Sequence, residues 1–128
     1  MDNTTFSASV VSCEENAELS TVGFADDQYA TSQYVLLQRA HHPSQQDLKL
    51  GIAGLHVEVN DQLHSGYDEI SSISLKRDFI HFDFGERFFK RSGIKSVSVF
   101  FCLDDHKFAQ LCKSMQLVVG NQSILSIS

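Results

Sequence analysis

The chain has 128 residues, 42% of them apolar and ten of them Phe, with 20% charged; that is enough for one hydrophobic core and too apolar and aromatic for disorder. Sixteen Asp and Glu against ten Lys and Arg give a net charge of −6, which disfavours nucleic acid as a direct ligand because that binding depends on cations neutralising phosphates. No apolar run approaches the ~18–20 residues of a membrane span, and Cys13, Cys102 and Cys112, without CxxC spacing, indicate neither a disulfide framework nor a structural metal.

The opening residues Met1 to Thr5 carry neither a basic segment nor an apolar stretch, so the expected location is the cytoplasm, with reduced thiols. Residues 6–13 and 19–24 flank a polar turn at Glu14, Glu15 and Asn16 and read as a hairpin. Residues 34–40 read as a third strand, Val35 and Leu37 alternating with Leu36 and Gln38. Residues 41–46 contain the single proline, Pro43, and no apolar side chain; they read as a surface loop in which His41 and His42 are solvated.

Residues 55–59 alternate, placing Leu55, Val57 and Val59 on one face and His56 and Glu58 on the other. A turn at 60–62 returns the chain through 63–67. A three-residue loop pairs Val59 with Leu63 and sets His64 beside Glu58, whereas a two-residue loop exposes Leu63 with Glu58; burial of Leu63 favours the first. Strands follow at 70–75, 79–84 and 96–103, the last an apolar run suited to the centre of a sheet, with a helical turn at 86–90 closed by Gly93. Asp104 can cap a helix whose first turn holds Asp105, and Phe108, Leu111, Cys112 and Met115 then form one apolar stripe. Residues 124–127 suit a short edge strand. The expected fold is a single α+β domain over residues 1–128, a mainly antiparallel β-sheet with one C-terminal amphipathic helix packed on it.

Catalytic signatures are sparse. There is no GxSxG, and the seven glycines are dispersed with no Gly-rich run leading to a lysine. Cys102 and Cys112 read as core residues, and the charges of Glu14 and Glu15 oppose a thiolate at Cys13. His56, Glu58 and His64 on one face could form a His2Glu metal or acid–base group, which keeps a small metal-dependent hydrolase among the alternatives; the simpler reading is the polar face of a two-sided strand. Asp78, His81 and Asp83 invite the same comparison, but His81 and Asp83 occupy outward positions between Ile80, Phe82 and Phe84. No catalytic residue, metal ligand or cofactor is assigned.

Recognition features remain. Residues 1–38 hold Asp2, Glu14, Glu15, Glu18, Asp26 and Asp27 without one Lys or Arg, while the rest of the chain carries ten acidic and ten basic residues, so all the net charge lies in the first third. Asp26, Asp27 and Tyr29 form one acidic aromatic loop, and Tyr67, Asp68 and Glu69 form a second after Gly66. Carboxylates steer and pair with a basic partner, and tyrosine supplies contact area at low entropic cost; the plainer alternative is solubility charge in ordinary turns. Arg39 and Glu58 are expected to hold each other or brace the sheet.

Several stretches, in order, resemble the immunity protein 10 family of bacterial polymorphic toxin and contact-dependent inhibition systems. They are Val22-Gly23-Phe24-Ala25-Asp26-Asp27, Leu36-Leu37-Gln38-Arg39-Ala40, Gln46-Asp47 with Leu50-Gly51, Val57-Glu58-Val59-Asn60 with Gln62, Ser65-Gly66-Tyr67, and Leu103-Asp104-Asp105. The likeness covers residues 22–111 and departs after Tyr67, where Gly is common in the family and Asp68 and Glu69 stand here. The resemblance implies an α+β protein encoded beside a toxin gene, which binds the C-terminal toxin domain and protects the producing cell or its siblings. With the charge distribution, the expected partner is a basic nuclease such as an RNase, covered at its active site or substrate surface. Expected contacts are Asp26, Asp27, Tyr29, Tyr67, Asp68 and Glu69, with Glu14, Glu15 and Glu18 speeding encounter. The expected protein is a monomer with no cofactor and no contact with nucleic acid or membrane. A regulatory or adaptor domain for an endogenous protein is the other alternative.

Overall fold

The computed structural model describes residues 3–120 and 122–128; Met1, Asp2 and Asn121 lie outside them, and with them the Asp2 charge counted above. Alternating β-branched and aromatic residues build β1 (Asn3–Ser7), β2 (Val10–Glu15), β3 (Leu19–Ala25), β4 (Tyr34–Ala40), β5 (His56–Val59), β6 (Asp61–Tyr67), β7 (Ile70–Leu75), β8 (Phe79–Phe84), β9 (Ser96–Phe100) and β10 (Leu125–Ile127). The helices are α1 (Gln45–Leu50), α2 (Glu86–Ser92) and α3 (Asp105–Val119). The mainly antiparallel α+β architecture expected from the sequence is present, divided into two five-stranded sheets. One runs β1-β9-β8-β7-β10, with β1 and β10 as parallel edge strands. The other is the antiparallel meander β2-β3-β4-β5-β6.

The segment 6–13 is therefore two strands rather than one. Phe6 faces the core from β1, and Val11 and Cys13 face it from β2. An odd residue separation puts Phe6 opposite to Val11 and Cys13 on any straight strand, so the chain must break between them. It does so at Ala8 and Ser9: the Ala8 N–H bonds Phe100 O of the first sheet at 2.7 Å, and the next N–H, of Ser9, bonds Ala25 O of the second at 3.0 Å.

Other differences have local causes. The hairpin turns tightly at Asn60 (φ 61°), pairing Val59 with Asp61 and Glu58 with Ser65, so residues 62–64 bulge and Leu63 is 80% exposed rather than buried. Asn60 favours this turn because its side chain accepts the Tyr34 N–H at 2.8 Å while its backbone occupies the left-handed region. Within the expected loop 41–46, Ser44 and Asp47 form a capping box that starts α1, a helix without a buried residue, whose Leu48 and Leu50 stay exposed. His41 is not simply solvated; its Nε2 lies 3.2 Å from the Ser20 hydroxyl. The strand expected to reach residue 103 ends at Phe100, leaving Phe101 buried and Cys102 exposed rather than in the core.

The apolar faces of the two sheets meet at Phe24, which packs edge-on against Phe82 and stacks with Phe101, each at 6.1 Å between ring centroids. Toward the other end of the meander, α3 covers β2, β3 and β4, burying Leu111, Met115, Val118 and Val119. Asp104 caps this helix by accepting the Lys107 N–H at 2.8 Å. At its far end Arg39, on the inward face of β4, donates to Val118 O at 2.8 Å and Val119 O at 2.7 Å. Gly120 (φ 71°) permits this: a Cβ there would stand 2.8 Å from Arg39 Cζ. Arg39 thus holds the helix and not Glu58, whose carboxylate accepts the Tyr34 hydroxyl. Charge-assisted bonds of this kind contribute about 1.5–3 kcal/mol. Arg39→Ala is expected to lower the unfolding free energy by about 2–3 kcal/mol, read as a lower urea midpoint at unchanged slope; an unchanged midpoint contradicts the clamp.

Candidate functional site

Five acidic residues of the first third, Glu14, Glu15, Glu18, Asp26 and Asp27, gather around one strand. β2 pairs along its length with β3, Val10 opposite Ala25 and Glu15 opposite Ser20. The β3–β4 loop, with Asp26, Asp27 and Tyr29, stands at the Val10 end, and Glu14, Glu15 and Glu18 stand at the turn that follows. β2, six residues and about 17–20 Å long, runs from one group to the other.

The first group is pre-shaped. Asp26 accepts the Ser32 N–H at 3.0 Å and its hydroxyl at 2.6 Å, and Asp27 Oδ1 accepts the Tyr29 N–H at 3.0 Å. The Ser32 hydroxyl, more than any other group, holds the Asp26 carboxyl below its ordinary range. Tyr29 projects from this loop with 91% of its surface exposed. At the other end Asn16 Oδ1 accepts the N–H groups of Glu18 and Leu19, at 2.8 and 2.9 Å, leaving the three exposed glutamates on a fixed turn. Between the two groups a groove of about 750 Å³ follows β2 from Ser9 to Glu14, bounded by Gln28, Cys102 and Leu103 and by Asp104, Lys107 and Gln110 at the start of α3.

The second predicted loop lies elsewhere. Tyr67 pairs with His56, which pairs with Gln38, at the end of the meander away from Asp26. Its ring rests against His56 at 4.8 Å. Asp68 takes φ 56°, a left-handed conformation that favours glycine, and offsets the cost by accepting the Leu55 N–H at 3.1 Å. Glu69 is not a surface contact. It is 5% exposed, bonded to Arg87 Nε at 2.9 Å and to Arg91 Nη2 at 2.7 Å, and braces α2 against β6. Burial pushes its carboxyl up, but the bonds and charges of Arg91 and Arg87 together outweigh burial and leave it below its usual range. Sequence separation gave no signal for this bridge, which spans two strands and a helix.

The histidine groups do not converge as the preferred register required. Glu58 faces Ser65 rather than His64, and it holds Tyr34, whose hydroxyl is pushed above its ordinary value by burial and then by this carboxylate. Burial lowers His56. His81 Nδ1 lies 2.7 Å from Ser98 Oγ and its Nε2 lies 3.1 Å from Asp83 Oδ1, a polar ladder across β8 and β9. Burial raises the thiols of Cys13 and Cys112. Among the described residues no group of three or more His, Cys, Asp and Glu could hold a metal ion, and no helix is long and apolar enough to cross a membrane.

Fold and surface define a two-sheet α+β protein with five carboxylates, Glu14, Glu15, Glu18, Asp26 and Asp27, at the two ends of one edge strand. Residues 7–109 match the family described as Immunity protein 10, and the chain belongs to that family. It is an immunity protein, a class that binds a cognate toxin and is generally non-enzymatic. Among curated proteins none matches the chain.

The Glu69 bridge has a defined pH signature. A carboxyl depressed by folding contributes stability that is present above its unfolded value of about 4.3 and is lost as pH falls through the lower folded value. Glu69→Gln is expected to cost about 2 kcal/mol at pH 7, with the deficit against the unsubstituted protein shrinking below about pH 4. A deficit independent of pH in denaturant titrations contradicts the assignment.

Proposed function

We propose that this immunity protein neutralises a basic nuclease toxin domain, such as an RNase, by laying its acidic β2 side over the toxin's active site or substrate surface. The observation that carries the reading is the placement of Glu14, Glu15, Glu18, Asp26 and Asp27 at the two ends of one strand, beside a groove lined by a single cation, Lys107, among the described residues. A nuclease must attract phosphates, so its substrate surface is basic, and fixed carboxylates meet it with complementary potential. Inhibition by coverage needs no cofactor and no chemistry on this chain. An interface of standard size, about 1,600 Å² in total, is large enough.

Asp26, Asp27 and the projecting Tyr29 form the contact centre, with Glu14, Glu15 and Glu18 steering the approach. Tyr67 and Asp68 reach only a partner broad enough to cross the meander, and Glu69 acts through the position of α2. The protein works as a monomer in the cytoplasm, where an incoming nuclease meets its substrate, and touches neither nucleic acid nor membrane.

Steering and contact separate in kinetics. Glu14→Lys combined with Glu18→Lys is expected to slow association with the neighbouring toxin domain about tenfold at low ionic strength, with the difference narrowing as salt is raised and dissociation little changed. Tyr29→Ala is expected to act mainly on dissociation, weakening binding by about tenfold, or 1–2 kcal/mol. An association rate indifferent to salt and to both lysine substitutions contradicts the electrostatic part of the proposal.

A further inference from the structure

We propose that β2 is itself a docking edge, on which an extended, Lys- or Arg-bearing segment of the toxin adds as a sixth strand to the second sheet and fills the groove beside α3. The inference rests on the toxin-neutralising reading and specifies how it is carried out.

Backbone alternation shows which groups are free. The Asn16 N–H bonds Leu19 O, so in this antiparallel pair the even-numbered residues Val10, Ser12 and Glu14 turn their N–H and C=O groups toward β3. The bond from the Asp26 N–H to Gln33 O gives the matching pattern on the far side of β3, whose even residues face β4. Val11, Cys13 and Glu15 therefore direct their backbone groups away from the sheet, Val11 and Cys13 along the groove and Glu15 just beyond its end, and no described residue bonds them. The other edge of the meander is different: α2 packs against β6, and Arg91 donates to Ser65 O at 2.7 Å.

An exposed edge is usually blunted by lysine, proline or a short strand. β2 has six residues, Val10–Glu15, with neither Lys nor Pro among them. Its devices are the acidic groups at both ends, and these choose the occupant. Antiparallel pairing of two copies would lay the Glu14 and Glu15 end of one β2 against the Asp26 and Asp27 end of the other, acid upon acid at both ends. A basic strand meets the opposite situation, with carboxylates at both ends and Glu14 and Asp104 within the groove. The start of α3 walls the groove on its other side, so an added segment of about six residues would be held by backbone bonds to Val11, Cys13 and Glu15 and by side chains reaching these carboxylates.

Hydrogen exchange, with the toxin domain encoded beside this chain as the probe and with binding and toxin activity measured on the same sample, tests the proposal. The amides of Val11, Cys13 and Glu15 are expected to exchange rapidly in the free protein and at least tenfold more slowly in the complex, while those of Ser12 and Glu14 are protected in both. Cys13→Pro removes one outward N–H and none of the internal ladder bonds, as edge positions tolerate, and is expected to weaken toxin binding at least tenfold. If that variant fails to fold, exchange on the unsubstituted protein decides. Stoichiometric neutralisation with the three outward amides exchanging as in the free protein overturns the added strand and leaves the neutralising function standing. A toxin domain that does not bind overturns both.

Discussion

The Arg39 guanidinium, bonded to the last carbonyls of α3, sets the relation between the two layers on which the surface depends. The inner face of the meander is larger than the first sheet alone covers: Phe24 meets Phe82 and Phe101 at one end, and α3 must cover the remainder. A helix packed only by Leu111, Met115, Val118 and Val119 could slide along an apolar surface, because such contacts are non-directional. Arg39 supplies direction, and the missing Cβ at Gly120 gives it room. With the far end of α3 held in this way, its first turns lie beside β2 and form the wall of the groove.

The carboxylates divide by what they touch. Glu69 is consumed inside by Arg87 and Arg91, Glu58 by Tyr34, and Asp68 by the Leu55 amide. Asp26 and Asp27 shape their own loop and still face solvent in part, while Glu14 and Glu18 stand exposed at the turn after β2. The arginines of α2 gather beside β6, where Arg87 and Arg91 are paired with Glu69.

Much of this was legible in the sequence. Alternation located nearly every strand, the spacing of Phe108, Leu111, Cys112 and Met115 located α3, and the ordered stretches from Val22 to Asp105 carried the family. The two-sheet arrangement was present as well, in the parity conflict between Phe6 and Val11, but reading residues 6–13 as one strand passes over it. At Asn60 the left-handed preference of asparagine outweighs the burial of Leu63 that alternation alone favours. α1 was hidden because a capping box without an apolar face resembles a loop. The Glu69 bridge and the groove could not be read at all: each joins elements that become neighbours only after the sheets form, and local spacing carries no record of that.

The most direct measurement is a calorimetric titration of the purified toxin domain encoded beside this chain, with its toxic activity followed in the same cell. The account predicts nanomolar affinity and complete loss of activity at one equivalent. Full toxin activity in the presence of excess immunity protein, or heat release with activity intact, would contradict it.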